Sequence, residues 1–226
     1  MPASASAYFG TFSVASGISP RTTSIDVGTG TGSRAVLVGI YNTGATTDDV
    51  TAVTVGGESL SQVSIARENT GREWVVWGGV ITVTGTQTLS ASFTGDGAYA
   101  LIGEFAVFDD VASTGTFGTP AVKTNTGTGP NSDSATCPTN GLIVSLMIHQ
   151  FASSDPTYTG SGTSLIAGRV STNPHVIGLA HRNTDGAHSW SVGSSQDWSV
   201  IMVPVNGTSG GGGGGAPAKA FRIIHG

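Results

Sequence analysis

The side chains able to do chemistry are few in this chain, and they are scattered. Adjacent carboxylates stand at Asp48-Asp49 and Asp109-Asp110, with Glu68 and Glu73 nearby in sequence. A pair of carboxyl groups could supply the acid and base of glycosidic cleavage. Neighbours on a strand point to opposite faces, however, and these pairs sit where turns are expected. Glu104 differs, because it interrupts an otherwise apolar stretch, where an unpaired charge is costly; a buried ion pair or an edge position is the reading preferred to catalysis. Trp74, Trp77, Trp190 and Trp198 could stack on sugar rings if exposed, but apolar surroundings assign them to the core, together with Tyr41, Tyr99 and Tyr158.

The other common chemistries find no support. Neither Lys123 nor Lys219 follows a glycine, as a phosphate-binding Walker loop requires, and no serine-hydrolase elbow is expected. Gly28-Thr29-Gly30-Thr31-Gly32 lacks dinucleotide-loop spacing and leads toward a strand, so it reads as a turn. Five histidines invite a metal reading, and His175 and His181 would share a strand face, but three or four converging ligands are needed. They are assigned to the surface. The expectation is a protein with no catalytic site, no metal and no cofactor. Cys137 is the single cysteine, so no intrachain disulfide can form and a reduced thiol is expected.

Composition identifies the elements that must position these groups. Gly, Ser and Thr make up 92 of 226 residues, while charged residues are only 10%. So few strong helix formers argue against a helical protein. Apolar runs such as Ala35-Val36-Leu37-Val38 and Gly141-Leu142-Ile143-Val144 argue against disorder. Strand-sized runs bounded by turn residues recur at roughly 35–42, 50–55, 60–67, 73–84, 87–94, 98–108, 141–151, 163–170, 175–182, 187–192 and 197–205, which predicts an all-β sandwich or barrel. Between 98 and 108, Leu101, Phe105 and Val107 alternate with Ile102, Glu104, Ala106 and Phe108. Both faces are apolar, so this strand is predicted to be central and covered.

One motif occurs twice. Arg34 to Tyr41 matches Gly141 to Ile148, Thr54 to Leu60 matches Thr159 to Leu165, and each is followed by an Arg-bearing strand, around Arg67 and Arg169. Trp74 to Val83 then runs parallel to His175 to Arg182, Thr88 to Phe93 to His188 to Val192, and Ala98 to Phe108 to Asp197 to Val205. The repeat predicts two interleaved halves forming one domain over 1–206.

Net charge is −5 with no basic cluster, so nucleic acid is not an expected partner. No apolar run approaches membrane-spanning length and the first residues lack a secretory signal pattern, so neither membrane insertion nor secretion is expected. Composition changes near 206. Six glycines, Gly210, Gly211, Gly212, Gly213, Gly214 and Gly215, lead to Phe221, Arg222, Ile223 and Ile224. Residues 207–226 read as a flexible linker and a docking tail, with these ten as candidate assembly contacts.

The hairpin Val53 to Leu60, the Trp-rich stretch Trp74 to Val80, Thr88 to Gly95, and the closing run Phe105-Ala106-Val107-Phe108-Asp109-Asp110-Val111 together resemble the lectin-like (concanavalin-like) jelly-roll modules of phage virion and bacterial surface proteins. The second half, ending in Ser189-Trp190-Ser191 and Asp197 to Val203, fits the same pattern. The resemblance implies a two-sheet antiparallel jelly-roll sandwich with a glycine-rich extension. It also implies a non-enzymatic virion protein, as head decoration, head fibre or tail module, whose partners are other virion proteins and copies of itself. A carbohydrate-binding adhesin recognising a cell-surface glycan is the alternative, and a glycan-cleaving jelly-roll enzyme the third.

Overall fold

The structure is a computed structural model. It describes residues 3–30, 32–42, 49–67, 73–94, 100–127, 131–149, 156–158, 163–169, 175–191 and 196–208. Every regular element in them is a strand. The first nine are β1 (Ser4–Val14), β2 (Arg21–Asp26), β3 (Arg34–Asn42), β4 (Val50–Val55), β5 (Glu58–Ser59), β6 (Ser61–Arg67), β7 (Glu73–Ile81), β8 (Thr86–Phe93) and β9 (Leu101–Asp109). They pair antiparallel into an inner sheet, β1-β9-β3-β7-β6, and an outer sheet, β2-β8-β4-β5.

The second half repeats this order. Its strands are β10 (Ala121–Gly127), β11 (Asn131–Ala135), β12 (Leu142–His149), β13 (Thr157–Tyr158), β14 (Thr163–Arg169), β15 (Val176–Arg182), β16 (Gly186–Ser191) and β17 (Gln196–Val205). Its inner sheet is β10-β17-β12-β15-β14 and its outer sheet β11-β16-β13. The register supports the match, since Ala35 faces Phe108 as Leu142 faces Val205, and Val38 faces Phe105 as Ser145 faces Met202. Among the described residues no sheet mixes strands of the two halves. The expectation of interleaving is therefore corrected: the repeats are consecutive β-sandwich units.

Three apolar layers hold four sheets together. One lies between the sheets of the first unit, built on Val36, Val38, Trp77 and Phe105 from within and Val53, Leu89 and Phe93 from without. A smaller one fills the second unit around Met147, Trp190, Trp198 and Met202. The largest lies between the two inner sheets, where Leu37, Tyr41, Trp74, Ile102 and Phe108 meet Val144, Leu146, Ile148, Leu179, Ile201 and Val203. Because the inner sheets are covered on both sides, β3 and β12 are buried along their whole length.

Two local features show how close the packing is. A Cβ on Gly39 would come within 2.6 Å of the Trp74 ring, and one on Gly103 within 2.1 Å of the Gly39 carbonyl oxygen and 2.4 Å of the Phe12 ring, so glycine makes room for an aromatic ring at each place. In the predicted hairpin, Val55 pairs with Glu58 around Gly56 and Gly57, whose φ values of 58° and 84° are those of a two-residue primed turn.

Removing Leu146 side-chain volume tests the central layer. Leu146→Ala is expected to cost about 2–5 kcal/mol in chemical denaturation; a loss below about 1 kcal/mol would mean that the units do not depend on this layer.

Candidate functional site

Strand direction gives the molecule two unlike ends. At one, which we call proximal, the first and last described residues and the link between the units are tied together. Ala3 N–H donates to Asn140 O at 2.6 Å, Ala112 N–H to Asn206 O at 2.8 Å, and Thr208 N–H to Asp110 O at 2.9 Å. Val111 bridges Gly207 and Phe117 bridges Val205, so fold contacts continue two residues beyond the expected boundary at 206. Arg34 completes this end. Its buried guanidinium pairs with Asp109 at 3.1 Å and donates to Val83 O at 3.2 Å and to Val27 O, pinning the turn that contains Gly28.

At the opposite, distal end lie the strand termini Asn42, Val50, Arg67, Glu73, Phe93 and Leu101. The second unit has the same polarity and sends its corresponding termini the same way, because the Tyr41 and His175 rings meet with centroids 5.1 Å apart. Here the structure assembles a charged group that the sequence left dispersed. Arg67 and Glu73 face each other across β6 and β7 and form an ion pair, and Arg67 lies 3.9 Å from Asp49. Burial raises the Glu73 carboxyl to about 7; the hydrogen bond and charge of Asp49 push the same way, and Arg67 opposes them. A carboxyl group poised near neutrality beside a second carboxylate and a guanidinium can accept or donate hydrogen bonds to a polyhydroxylated ligand. Beside it, Arg21 stacks 4.2 Å from the Phe93 ring centre and donates to Gly17 O at 3.1 Å, while Ser19 Oγ accepts from Phe93 N–H at 3.0 Å. These contacts fix the β1–β2 connection, with Ile18 exposed on it.

Glu104 is placed otherwise than expected. It lies in a central strand, fully buried, with its carboxyl in the layer between the units and, among the described residues, no ion pair or hydrogen-bond partner for either oxygen. It is neither at an edge nor in a buried pair. Burial pushes its pKa well above the ordinary 4.5, so the group is held as the neutral acid. Trp74 Nε1 and Ser199 Oγ, also buried, have no hydrogen-bond partner among the described residues either.

The histidines are likewise corrected. His149, His175 and His188 are buried and His181 half-buried; His225 lies outside the described residues. His188 Nδ1 and Tyr158 Oη are 3.0 Å apart, and Tyr158 packs against Trp190, whose Nε1 donates to Ser145 Oγ at 2.9 Å. Burial, then the charges of Arg182 and His181, lower His188 to about 4. Among the described residues no three His, Cys, Asp or Glu side chains come together as metal ligands.

All four tryptophans are core residues and so is Tyr41. Tyr158 is partly buried, and Tyr99, Asp48 and Glu68 lie outside the described residues. So do the ten candidate assembly residues Gly210–Gly215, Phe221, Arg222, Ile223 and Ile224. One elbow-like spacing does occur, contrary to expectation, at Gly207-Thr208-Ser209-Gly210-Gly211. The chain there continues into further glycines rather than the helix former sequence that an elbow requires. No family model, curated protein or solved structure matches this chain.

Three titrations follow. Above pH 4.5 the unfolded chain releases the Glu104 proton that the folded chain keeps, so this group lowers stability as pH rises toward its folded pKa. Glu104→Leu is expected to stabilise by about 1–3 kcal/mol at pH 8 and by less at pH 4.5, read by denaturant melts; a loss at pH 8 would contradict an uncompensated acid. His188 has the opposite sign: between 6.5 and about 4 the unfolded chain takes up a proton that the folded chain refuses, so stability falls with acidification there. Arg67→Ala should raise the Glu73 pKa further above 7 in a carboxyl NMR titration, and an unchanged value would show that the pair is not electrostatically linked.

Proposed function

We propose that this chain is a non-enzymatic structural or display protein of a bacteriophage virion, made of two jelly-roll modules in tandem and tied into the particle by its C-terminal tail. The observation that carries the reading is the strand order. Antiparallel sheets ordered β1-β9-β3-β7 and β2-β8-β4-β5 support it, because a jelly roll of eight strands would wind in this order. In this reading β6 continues β5 past Leu60 to the edge of the inner sheet, and the second unit repeats the winding.

The polarity of the molecule supports the same reading. The link between the units and the exit toward 209–226 share the proximal end, and the strand termini bearing Arg67 and Glu73 are distal. A module held at one end and presenting the other has the organisation that display requires. Its partners are then other virion proteins and copies of itself, with the glycine tract as spacer and Phe221, Arg222, Ile223 and Ile224 as anchor; head, head-fibre and tail positions all fit.

A second reading, a carbohydrate-binding adhesin, is favoured by one observation: Asp49, Arg67 and Glu73 meet at the distal end. Carboxylates and guanidinium groups bind vicinal hydroxyls through paired, charge-assisted hydrogen bonds.

Deleting 210–226 separates anchor from fold. The shortened chain is expected to melt within about 2 °C of the full chain, less than a 1 kcal/mol change would produce, and to be missing from purified particles by mass spectrometry. Incorporation at the full-chain level would refute the anchor. Glycan-array binding abolished by Glu73→Gln, with melting unchanged, would transfer the assignment to the adhesin.

A further inference from the structure

A sheet edge presents unpaired backbone N–H and C=O groups, and a further strand can add to it unless charge, brevity or a covering segment stands in the way. Among the described residues the four sheets have eight edge strands. Two of them, β5 and β13, are only two residues long. Five others are charged, with Arg21 in β2, Arg67 in β6, Lys123 in β10, Asp133 in β11 and Arg169 in β14. Strand β1 is the exception. Its eleven residues are uncharged, and so is the whole sequence from Met1 through Pro20. An irregularity between Ala5 and Phe9 interrupts its first half, after which Phe9 to Val14 form a regular ladder with Ala106 to Leu101 of β9. On this ladder Phe12 is buried inside the first unit, while Thr11 and Ser13 are exposed. Among the described residues β9 is the only strand that pairs with β1. The open margin runs on through the β1–β2 connection, exposed from Ala15 to Pro20, where Ile18 is 85% exposed, the most of any large apolar side chain described.

We propose that the β1 edge is an interface between two copies of this chain, paired antiparallel through Phe9 to Val14 about a two-fold axis. A second copy is the occupant that the strand's own composition fits. Identical strands set side by side repel where they carry charge, and this one brings none, whereas the other long edges each carry a charged residue. An antiparallel pair of identical strands is also self-complementary, so the two edges consume each other and the assembly closes as a dimer. Backbone groups that point outward alternate along a strand, so the two-fold must bring residues of the same parity together. The two registers of longest overlap centre on Thr11 or on Phe12. In the first, Thr11 faces Thr11 of the second copy; in the other, Thr11 faces Ser13. Both put exposed hydroxyls opposite one another, where they can hydrogen-bond across the strands. A ladder of roughly five pairs buries less than the about 1,200 Å² of a standard stable interface, so a dissociation constant of about 100 μM is expected.

This inference stands apart from the virion reading, since the edge can pair whether or not the chain joins a particle. Sedimentation equilibrium on the full chain tests it. The unaltered chain is expected to dimerise, and the double variant Thr11→Lys, Ser13→Lys to weaken the dimer at least about tenfold, while melting of the dilute monomer stays within about 2 °C. Gln62→Lys, exposed on the opposite edge of the same sheet, should leave the dissociation constant within about twofold. Amides of 9–14 in the unaltered chain should exchange more slowly as concentration rises and the dimer forms, a reading that needs no variant. A chain that stays monomeric up to about 1 mM would overturn the proposal. So would a dimer that the double variant leaves intact, one that Gln62→Lys weakens equally, or one that forms with no change in exchange at 9–14, because the contact would then lie elsewhere or depend on net charge alone.

Discussion

Everything in this structure depends on the apolar layer between the two inner sheets. A single antiparallel sandwich can leave the outer face of each sheet in water; here each unit turns its five-stranded sheet toward the other and loses that freedom. The consequence is visible residue by residue on β3, where Val36, Val38 and Ile40 pack within the first unit while Leu37 and Tyr41 pack against the second. Neither alternate set can become polar without uncovering a layer. Units with separate sheets and repeated connectivity are thereby bound to one another, and a chain cut between them would expose the broadest apolar surface of each.

The same layer explains why its polar members stand out. Glu104 occupies a place whose counterpart in the second unit is Ile201, since Gly39 faces Glu104 as Leu146 faces Ile201. One copy of the repeat keeps the apolar residue that the layer asks for, and the other carries a carboxylic acid. Beside it, Gly39 gives up its side chain so that Trp74 can cross. Stability in this layer is obtained from area and close packing, with the Glu104 carboxyl tolerated as the neutral acid, and the upward shift of its pKa is the chemical trace of that tolerance.

What was legible in the sequence follows from this burial. Runs covered on both faces, such as β3, β9, β12 and β17, announce themselves as continuous apolar stretches, and the repeat is visible because the inner strands must look alike. Strands β1, β2, β10 and β11 left almost no signal. Arg21-Thr22-Thr23-Ser24-Ile25-Asp26 buries only Arg21 and Ile25, and Ala121 to Gly127 has Val122, Lys123 and Thr124 exposed; edge strands can be written in Ser, Thr and Asn. Missing these strands also concealed that each half already had two sheets, which is why interleaving looked necessary. The histidines misled for a related reason: burial of a neutral imidazole is set by the sheet above it, which no local pattern records.

The distal charged group was the least legible feature, and its origin is topological. Asp49 and Arg67 are eighteen positions apart and belong to different sheets, one leading into the outer β4 and the other closing the inner β6. They meet because every connection at that end returns the chain to the same rim. Glu73 is held by the hairpin register opposite Arg67, so its burial is a property of β7, a strand buried from Glu73 through Gly78. The ionisable rim is therefore a by-product of the constraint that shapes the core. Inner strands too apolar to end in water are finished with a carboxyl and a guanidinium, and the rim inherits a group near neutrality because Glu73, the first residue of a covered strand, is buried with it.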